Sequence, residues 1–246
     1  MKQAGAHTRW KLYAAAFAAP VLLLAAVYAA AGFAPFGDKT LLTVDMNGQY
    51  VAFFSQLRSI LLGKDDLLYT FGKALGGDMI GLFAYYIASP LNLLVVFFPV
   101  RALPWFVLLL TLLKTGLAGT AFAAWARCHT GPRKALCLCM LYALCTYSIA
   151  YQQNILWLDG VILLPLMALG IERIAGGGRP WLYMVSLALG ILTDYYIGYM
   201  LCIFSVLYFL FYTLGGFAAP GARALPMLAS YAGASLLAAG LAAVLL

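Results

Sequence analysis

Seven stretches of this chain, near residues 12–31, 103–125, 134–151, 159–175, 181–198, 199–216 and 225–246, are apolar almost from end to end. A hydrocarbon core about 30 Å thick is crossed by roughly 20 helical residues, or somewhat fewer where neighbouring helices assist. A backbone in lipid must satisfy its own polar groups, so segments of this kind become helices. They define the class expected here: an all-α polytopic membrane protein with about seven transmembrane helices. Composition agrees, since 65% of the 246 residues are hydrophobic and only 9% are charged, too few to cover a soluble domain of this size. The first stretch follows Lys2, Arg9 and Lys11 and ends in small residues, as a secretion signal does. It is longer than a signal core and more spans follow, so it reads as an uncleaved first helix.

Net charge is +7, which in a soluble protein would suggest nucleic acid. In a membrane chain it reflects lysines and arginines held on cytoplasmic loops, and no nucleic-acid partner is expected. Placing the N-terminus inside puts nine of the 15 basic residues on the cytoplasmic side: Lys2, Arg9, Lys11, Arg127, Arg133, Lys134, Arg173, Arg179 and Arg223. The opposite orientation would export those loops. The region 79–100 is apolar enough to cross, but Pro90, Asn92 and Pro99 interrupt it, and counting it as a span would move Arg127, Arg133 and Lys134 outside. It is expected to form interfacial or re-entrant helices on the outer leaflet. The expected organisation is one transmembrane module, 1–246, with a long first extracytoplasmic loop, 32–104. The chain stops inside "LLAAGLAAVLL", which fits a natural terminus or the N-terminal part of a longer protein.

Within the outer loop, Met46, Tyr50, Phe53, Phe54, Leu57, Ile60 and Leu61 recur at helical spacing, with Asn47, Gln49, Gln56 and Arg58 between them. This predicts an amphipathic helix along the membrane surface, beginning at Asp45 and closed by Gly63. Asp65, Asp66, Gly76, Gly77 and Asp78 follow in a turn-rich stretch. The cysteines (Cys128, Cys137, Cys139, Cys145, Cys202) fall in or at the cytoplasmic edge of spans, and the Cys137-Leu138-Cys139 spacing is no zinc pattern. His7 and His129 are expected on the cytoplasmic side and isolated, so histidine–metal chemistry is not expected.

Three acidic residues then collect on the outer side: Asp45 after the first span, Asp159 between spans three and four, and Asp194 where spans five and six meet. Carboxylates there can act as general bases or hold a cation. Asp45 and Asp159 could equally cap the helices they begin, Asp45 by accepting the Gly48 N–H. Asp194 lies in a continuous apolar stretch and needs a partner. Tyr195, Tyr196 and Tyr199 fit either an interfacial aromatic belt or a stacking surface for sugar. Lys114 falls near the middle of the second span, where a lysine costs about 2.5–3.5 kcal/mol unless it meets an acid or a polar cavity. A phosphate or carboxylate partner reached from the outer side would satisfy it; a misplaced span boundary with a snorkelling lysine is the alternative. Gly116 and Gly119 nearby imply a close helix contact.

Four stretches, "LLTVDMNGQYVAFFSQLRSILLG", "YIASPLNLLVVFFP", "NILWLDGVILLPLMALGIERI" and "DYYIGYMLCIFSVLYFL", resemble the YfhO family of bacterial polytopic membrane proteins, in order and over nearly the whole chain. Members are typically longer, which fits an N-terminal portion. That family is similar to GT-C glycosyltransferases, and the resemblance implies their fold and chemistry. Such enzymes pass a sugar from a polyprenyl-phosphate carrier to an acceptor on the outer face, usually with inversion. The implied partners are a polyprenyl-phosphate sugar donor, a cell-wall polymer acceptor such as lipoteichoic acid, and the lipid bilayer.

The early acidic residue of the long loop matches Asp45, the implied catalytic base. Asp159 matches the second outer loop, where the usual motif has paired acids and this chain has only Asp159 in "WLDG". No cofactor is certain on that ground, and a divalent cation stays open. Asp159, Asp194, Lys114, Arg58, Asn47, Gln49 and Tyr195 are the implied substrate-binding set, with Lys114 or Arg58 supplying positive charge to the leaving phosphate. Two rivals remain. A transporter or flippase would use Lys114 and Asp194 as pathway residues and calls for inverted repeats, of which the sequence has no trace. A non-catalytic scaffold for envelope assembly would tolerate loss of Asp45.

Overall fold

The computed structural model describes residues 6–73, 75–218 and 223–244, with Ala6, His7 and Thr8 as backbone only. Lys2, counted above among the cytoplasmic charges, lies outside them. Among the described residues ten α-helices follow one another: α1 (Ala6–Ala30), α2 (Val51–Leu61), α3 (Ile80–Leu82), α4 (Leu103–Ala126), α5 (Pro132–Ala143), α6 (Thr146–Ala150), α7 (Leu158–Ala175), α8 (Trp181–Thr193), α9 (Tyr195–Leu214) and α10 (Ala224–Ala242). One short antiparallel hairpin, β1 (Tyr69–Thr70) with β2 (Gly77–Asp78), interrupts them.

Among the described residues six helical stretches are long and apolar enough to cross a membrane: Arg9–Ala30, Val100–Ala126, Pro132–Ala150, Ile155–Ala175, Tyr195–Leu214 and Ala224–Ala242. With α8 they make the seven apolar helices the sequence calls for. α8 is the short one: its 13 residues rise about 20 Å, well under the thickness of a hydrocarbon core. The expected boundary at 198/199 falls instead at Asp194. There the backbone is extended (φ −165°, ψ 108°), and the carboxylate takes up the first free N–H groups of α9. The region 79–100 does not run straight through. Ile80–Ile87 and Pro90–Phe97 meet at 97°, and each half is too short to cross alone.

The amphipathic segment is present as a wide π turn, Met46–Tyr50, running into α2 and stopped at Gly63 (φ 68°). Met46, Tyr50, Phe54 and Leu57 line its buried face. Contrary to expectation, that face lies on protein rather than on lipid. It packs with Ile87 and Val95 against Leu103, Phe106 and Leu110 of α4, against Ile155 and Leu156 in the turn before α7, and against Leu158 at its first residue. The segment 46–102 therefore roofs one side of the bundle.

Below the roof, α4 is the central post, packing on α1, α5 and α7; α7 packs in turn on α8 and α9, and α8 on α10. The close contact read from Gly116 and Gly119 is the α1–α4 crossing. A Cβ on Gly119 would lie 2.5 Å from the Ala16 carbonyl oxygen, and one on Gly116 would lie 2.6 Å from the Phe17 ring. Far from the roof, Glu172 ties three helices together. Its Oε1 accepts Trp125 Nε1 (2.7 Å) and Tyr208 Oη (2.5 Å), and its Oε2 lies 3.2 Å from His129 Nε2. His129 is thus not isolated, as its sequence setting suggests, but packed on Trp125 and paired with Glu172.

Candidate functional site

Lys114 is the twelfth residue of α4, about 17 Å along the helix from Leu103. Its side chain is fully buried. The ammonium donates to Asp159 Oδ2 and to the Ile155 carbonyl oxygen, both at 2.8 Å. No boundary shift is needed to explain it, because the lysine has a carboxylate partner deep in the bundle. The helix-cap reading of Asp159 gives way for the same reason: Asp159 sits inside the first turn of α7, makes no cap hydrogen bond, and spends its charge on Lys114. The first turn of α7 therefore meets α4 halfway along, and the roof packs on the half of α4 that begins at Leu103.

Asp194 occupies the neighbouring helix start and lies within Coulombic reach of both Asp159 and Lys114. Here a cap does form. Oδ1 accepts the Tyr196 N–H at 2.9 Å and the Ile197 N–H at 3.4 Å, satisfying N–H groups that have no partner inside α9. The other oxygen, Oδ2, is buried and has no hydrogen-bond partner among the described residues. A Cβ on Gly160 would collide with Ile197, so the starts of α7 and α9 are in direct contact.

Asp45 stands apart, exposed at the entry to the roof. The expected cap on Gly48 is absent, since its carboxylate makes no cap hydrogen bond. The residue before it, Val44, has φ 47°. A β-branched side chain in the left-handed region is a costly conformation, on the order of 1–3 kcal/mol, of the kind that persists where surrounding structure enforces it. Asn47 and Gln49 are exposed on the same turn. Beneath them Tyr50 donates to Asn154 Oδ1 at 2.9 Å, fastening the roof to the loop before α7, and Tyr28 of α1 donates to Gln152 of that loop.

Between Asp45 and Asp194 lies a run of tyrosines. Tyr50 and Tyr86 have ring centroids 5.6 Å apart, Tyr86 and Tyr85 4.6 Å, and Tyr85 and Tyr195 5.2 Å. Burial, and after it the Asp45 carboxylate, push the Tyr50 and Tyr86 phenols above their usual range; burial and then Asp194 do the same to Tyr85. Each phenol resists ionising chiefly because it is shielded from water, and the nearby carboxylate adds to this.

The structure thus brings Lys114, Asp159, Asp194 and Tyr195 into one neighbourhood, with Asp45, Asn47 and Gln49 at its exposed edge. Arg58 is not part of it. Thirteen residues further along the surface segment, it lies about 20 Å from Asp45, half-buried, with Nε lacking a partner among the described residues. Nor do three or more His, Cys, Asp or Glu side chains converge as a metal cluster among the described residues. Tyr50, Tyr85, Tyr86 and Asn154 are the members that sequence reading passes over. Tyr85 and Tyr86 sit in the apolar stretch "FAYYIASP", whose only readable signal was a broken span.

A bundle of long apolar helices defines a multi-pass integral membrane protein. Residues 15–246 match the family described as bacterial membrane protein YfhO, and the chain belongs to that family. No curated protein and no solved structure gives a match.

Proposed function

We propose that this protein is a membrane glycosyltransferase that moves a sugar from a polyprenyl-phosphate donor to an extracytoplasmic cell-wall polymer such as lipoteichoic acid. The observation that carries the reading is Asp45: an exposed carboxylate that caps nothing, next to a strained Val44, at one end of the run of tyrosines that leads to Asp194. The likeness of the family to GT-C enzymes, and the distribution of basic residues that turns this side outward, support it.

In this reading the acceptor hydroxyl attacks the anomeric carbon from the face opposite the phosphate. The O–C bond to the acceptor forms as the C–O bond to the phosphate breaks, and the anomeric configuration inverts. Asp45 accepts the hydroxyl proton, and the polyprenyl phosphate departs with the bonding electrons. Lys114 has already spent two of its three donors on Asp159 and Ile155, so it holds the start of α7 rather than reaching Asp45. Arg58 keeps unspent donors on the roof and suits a phosphate of donor or acceptor further along the segment.

The test compares Asp45→Asn with the parent full chain in membranes supplied with labelled polyprenyl-phosphate sugars, following transfer to an isolated cell-wall polymer at matched folded protein. Removing a general base lowers the rate about 10²–10⁴-fold. Undiminished transfer would remove Asp45 from the chemistry. One observation favours a second reading, a flippase or transporter of lipid-linked precursors: Asp194 is buried between two apolar helices with one oxygen unpartnered among the described residues. It gains ground if the parent transfers no sugar yet moves lipid-linked precursor across vesicles in a manner lost in Asp194→Asn.

A further inference from the structure

We propose that Tyr85, Tyr86 and Tyr195 form a stacking platform for a pyranose ring, set between Asp45 and Asp194; the assignment rests on the glycosyltransferase reading above and names its sugar subsite. Three observations converge on it. The rings join end to end across elements distant in sequence: Phe53 of α2 touches Tyr86 (4.7 Å), Tyr86 touches Tyr85, and Tyr85 crosses to Tyr195 on α9. Tyrosines of an interfacial belt sit at headgroup level on the lipid-facing side of their helices. This set instead bridges the roof and the start of a transmembrane helix.

The second observation concerns the hydroxyls. Tyr50, at the buried end of the run, donates to Asn154. The hydroxyls of Tyr85, Tyr86 and Tyr195 make no hydrogen bond among the described residues, while their rings are half-buried or, for Tyr195, 47% exposed. Their polar tips are unspent, and although the rings pack on one another at steep angles (83° between Tyr86 and Tyr85, 52° between Tyr85 and Tyr195), part of each stays accessible, most of all on Tyr195. A pyranose offers the complement, an apolar C–H face for the ring and hydroxyls for the tip.

The third is position. Asp45 lies close enough to Tyr86, and Asp194 close enough to Tyr85, for each carboxylate to bear on the phenol. A sugar on the platform would have a carboxylate on either side, one exposed and one recessed. The ring bound could belong to the donor or to a glycosylated acceptor, since both present the same face.

The experiment uses the full chain in detergent and saturation-transfer NMR with three probes. These are citronellyl phosphate bearing glucose or N-acetylglucosamine, citronellyl phosphate alone, and the corresponding free disaccharides. Irradiating tyrosine ring protons of the parent is expected to saturate the sugar C–H protons of a sugar-bearing probe. Tyr85→Ala and Tyr195→Ala should each weaken that probe roughly three- to tenfold and leave citronellyl phosphate unchanged, with Tyr→Phe retaining most of the affinity. A loss confined to the lipid-linked sugar assigns the ring to the donor; a loss confined to the disaccharide assigns it to the acceptor.

The proposal is overturned if no sugar probe binds, if the alanine variants bind as the parent does, or if they weaken citronellyl phosphate equally. The parent saturation map requires no variant, so a variant that fails to fold leaves the proposal decidable. Asp45→Asn should keep sugar binding. If it also keeps transfer, the base assignment fails while the platform stands. If transfer depends on Asp45 but binding does not depend on the tyrosines, the platform alone falls.

Discussion

Lys114 Nζ and Asp159 Oδ2 lie 2.8 Å apart in the bundle interior, the lysine side chain fully buried. Two charges so far from water are each expensive, and their attraction with the added Ile155 carbonyl bond is what keeps both in place. Removing one leaves the other stranded. Lys114→Met is expected to destabilise the protein by about 3–5 kcal/mol, while the double replacement Lys114→Met with Asp159→Leu recovers most of that loss. Denaturant or thermal unfolding in detergent checks both. If the pair also sets the position of the α7 start for transfer, the double variant folds without regaining transfer, separating architecture from function.

Asp194 makes the complementary case. One oxygen holds the start of α9 and the other is free. Asp194→Asn can keep the cap through its amide oxygen and should cost little stability. Asp194→Ala loses the cap and should cost about 0.5–2 kcal/mol. A functional role for the free oxygen predicts that both variants lose activity alike despite this difference in melting. Activity that tracks stability instead would leave Asp194 a cap and nothing more.

The spans were legible because lipid leaves a backbone few choices: long apolar runs become helices whatever packs beside them. The Gly116–Gly119 contact and the interruption at 79–100 were readable for equally local reasons, a missing Cβ and a proline after an extended residue. The roles of the aspartates were not. Asp45 and Asp159 stand where caps belong and do not cap, whereas Asp194, read as a charge in search of a partner, is the one that caps α9. Each outcome depends on what lies opposite in space. Asp159 is drawn to a lysine 45 residues away, and Tyr85 to a ring on α9, contacts that no periodicity encodes.

At the α1–α4 crossing, Gly119→Leu would drive a side chain into the Ala16 carbonyl, a backbone atom that cannot swing aside. The expected penalty is about 1–3 kcal/mol, with α1 displaced from α4. A cysteine pair across this crossing should cross-link readily in the parent and poorly in the variant. Equal cross-linking would contradict the close approach.

Asp78 gives a pH dependence. The Gly81 and Ile80 N–H groups donate to its carboxylate at 2.8 and 2.9 Å and hold its pKa below the usual carboxylate range. A carboxyl whose folded value is depressed contributes stability above its unfolded pKa and loses it as pH falls through the folded one. Protection of the Ile80 and Gly81 amides from hydrogen exchange, corrected for intrinsic rate, should therefore hold at neutral pH and drop in acid below the ordinary aspartate range. Asp78→Ala should lack that protection at every pH.

Val44 supplies the sharpest test of whether strain at the entry to the roof serves Asp45. Its φ of 47° is a region that glycine enters freely and a β-branched residue does not. On folding grounds alone, Val44→Gly relieves the conformation at the cost of a more flexible unfolded chain, so stability should rise or stay level. If the valine exists to fix the direction of the next residue, the same change frees Asp45 to sample other orientations, and transfer should fall while melting does not. A fall in both would mean that Val44 acts by stiffening the chain ahead of the roof rather than by aiming Asp45. Unchanged transfer with improved stability would mean that the strain has no bearing on Asp45.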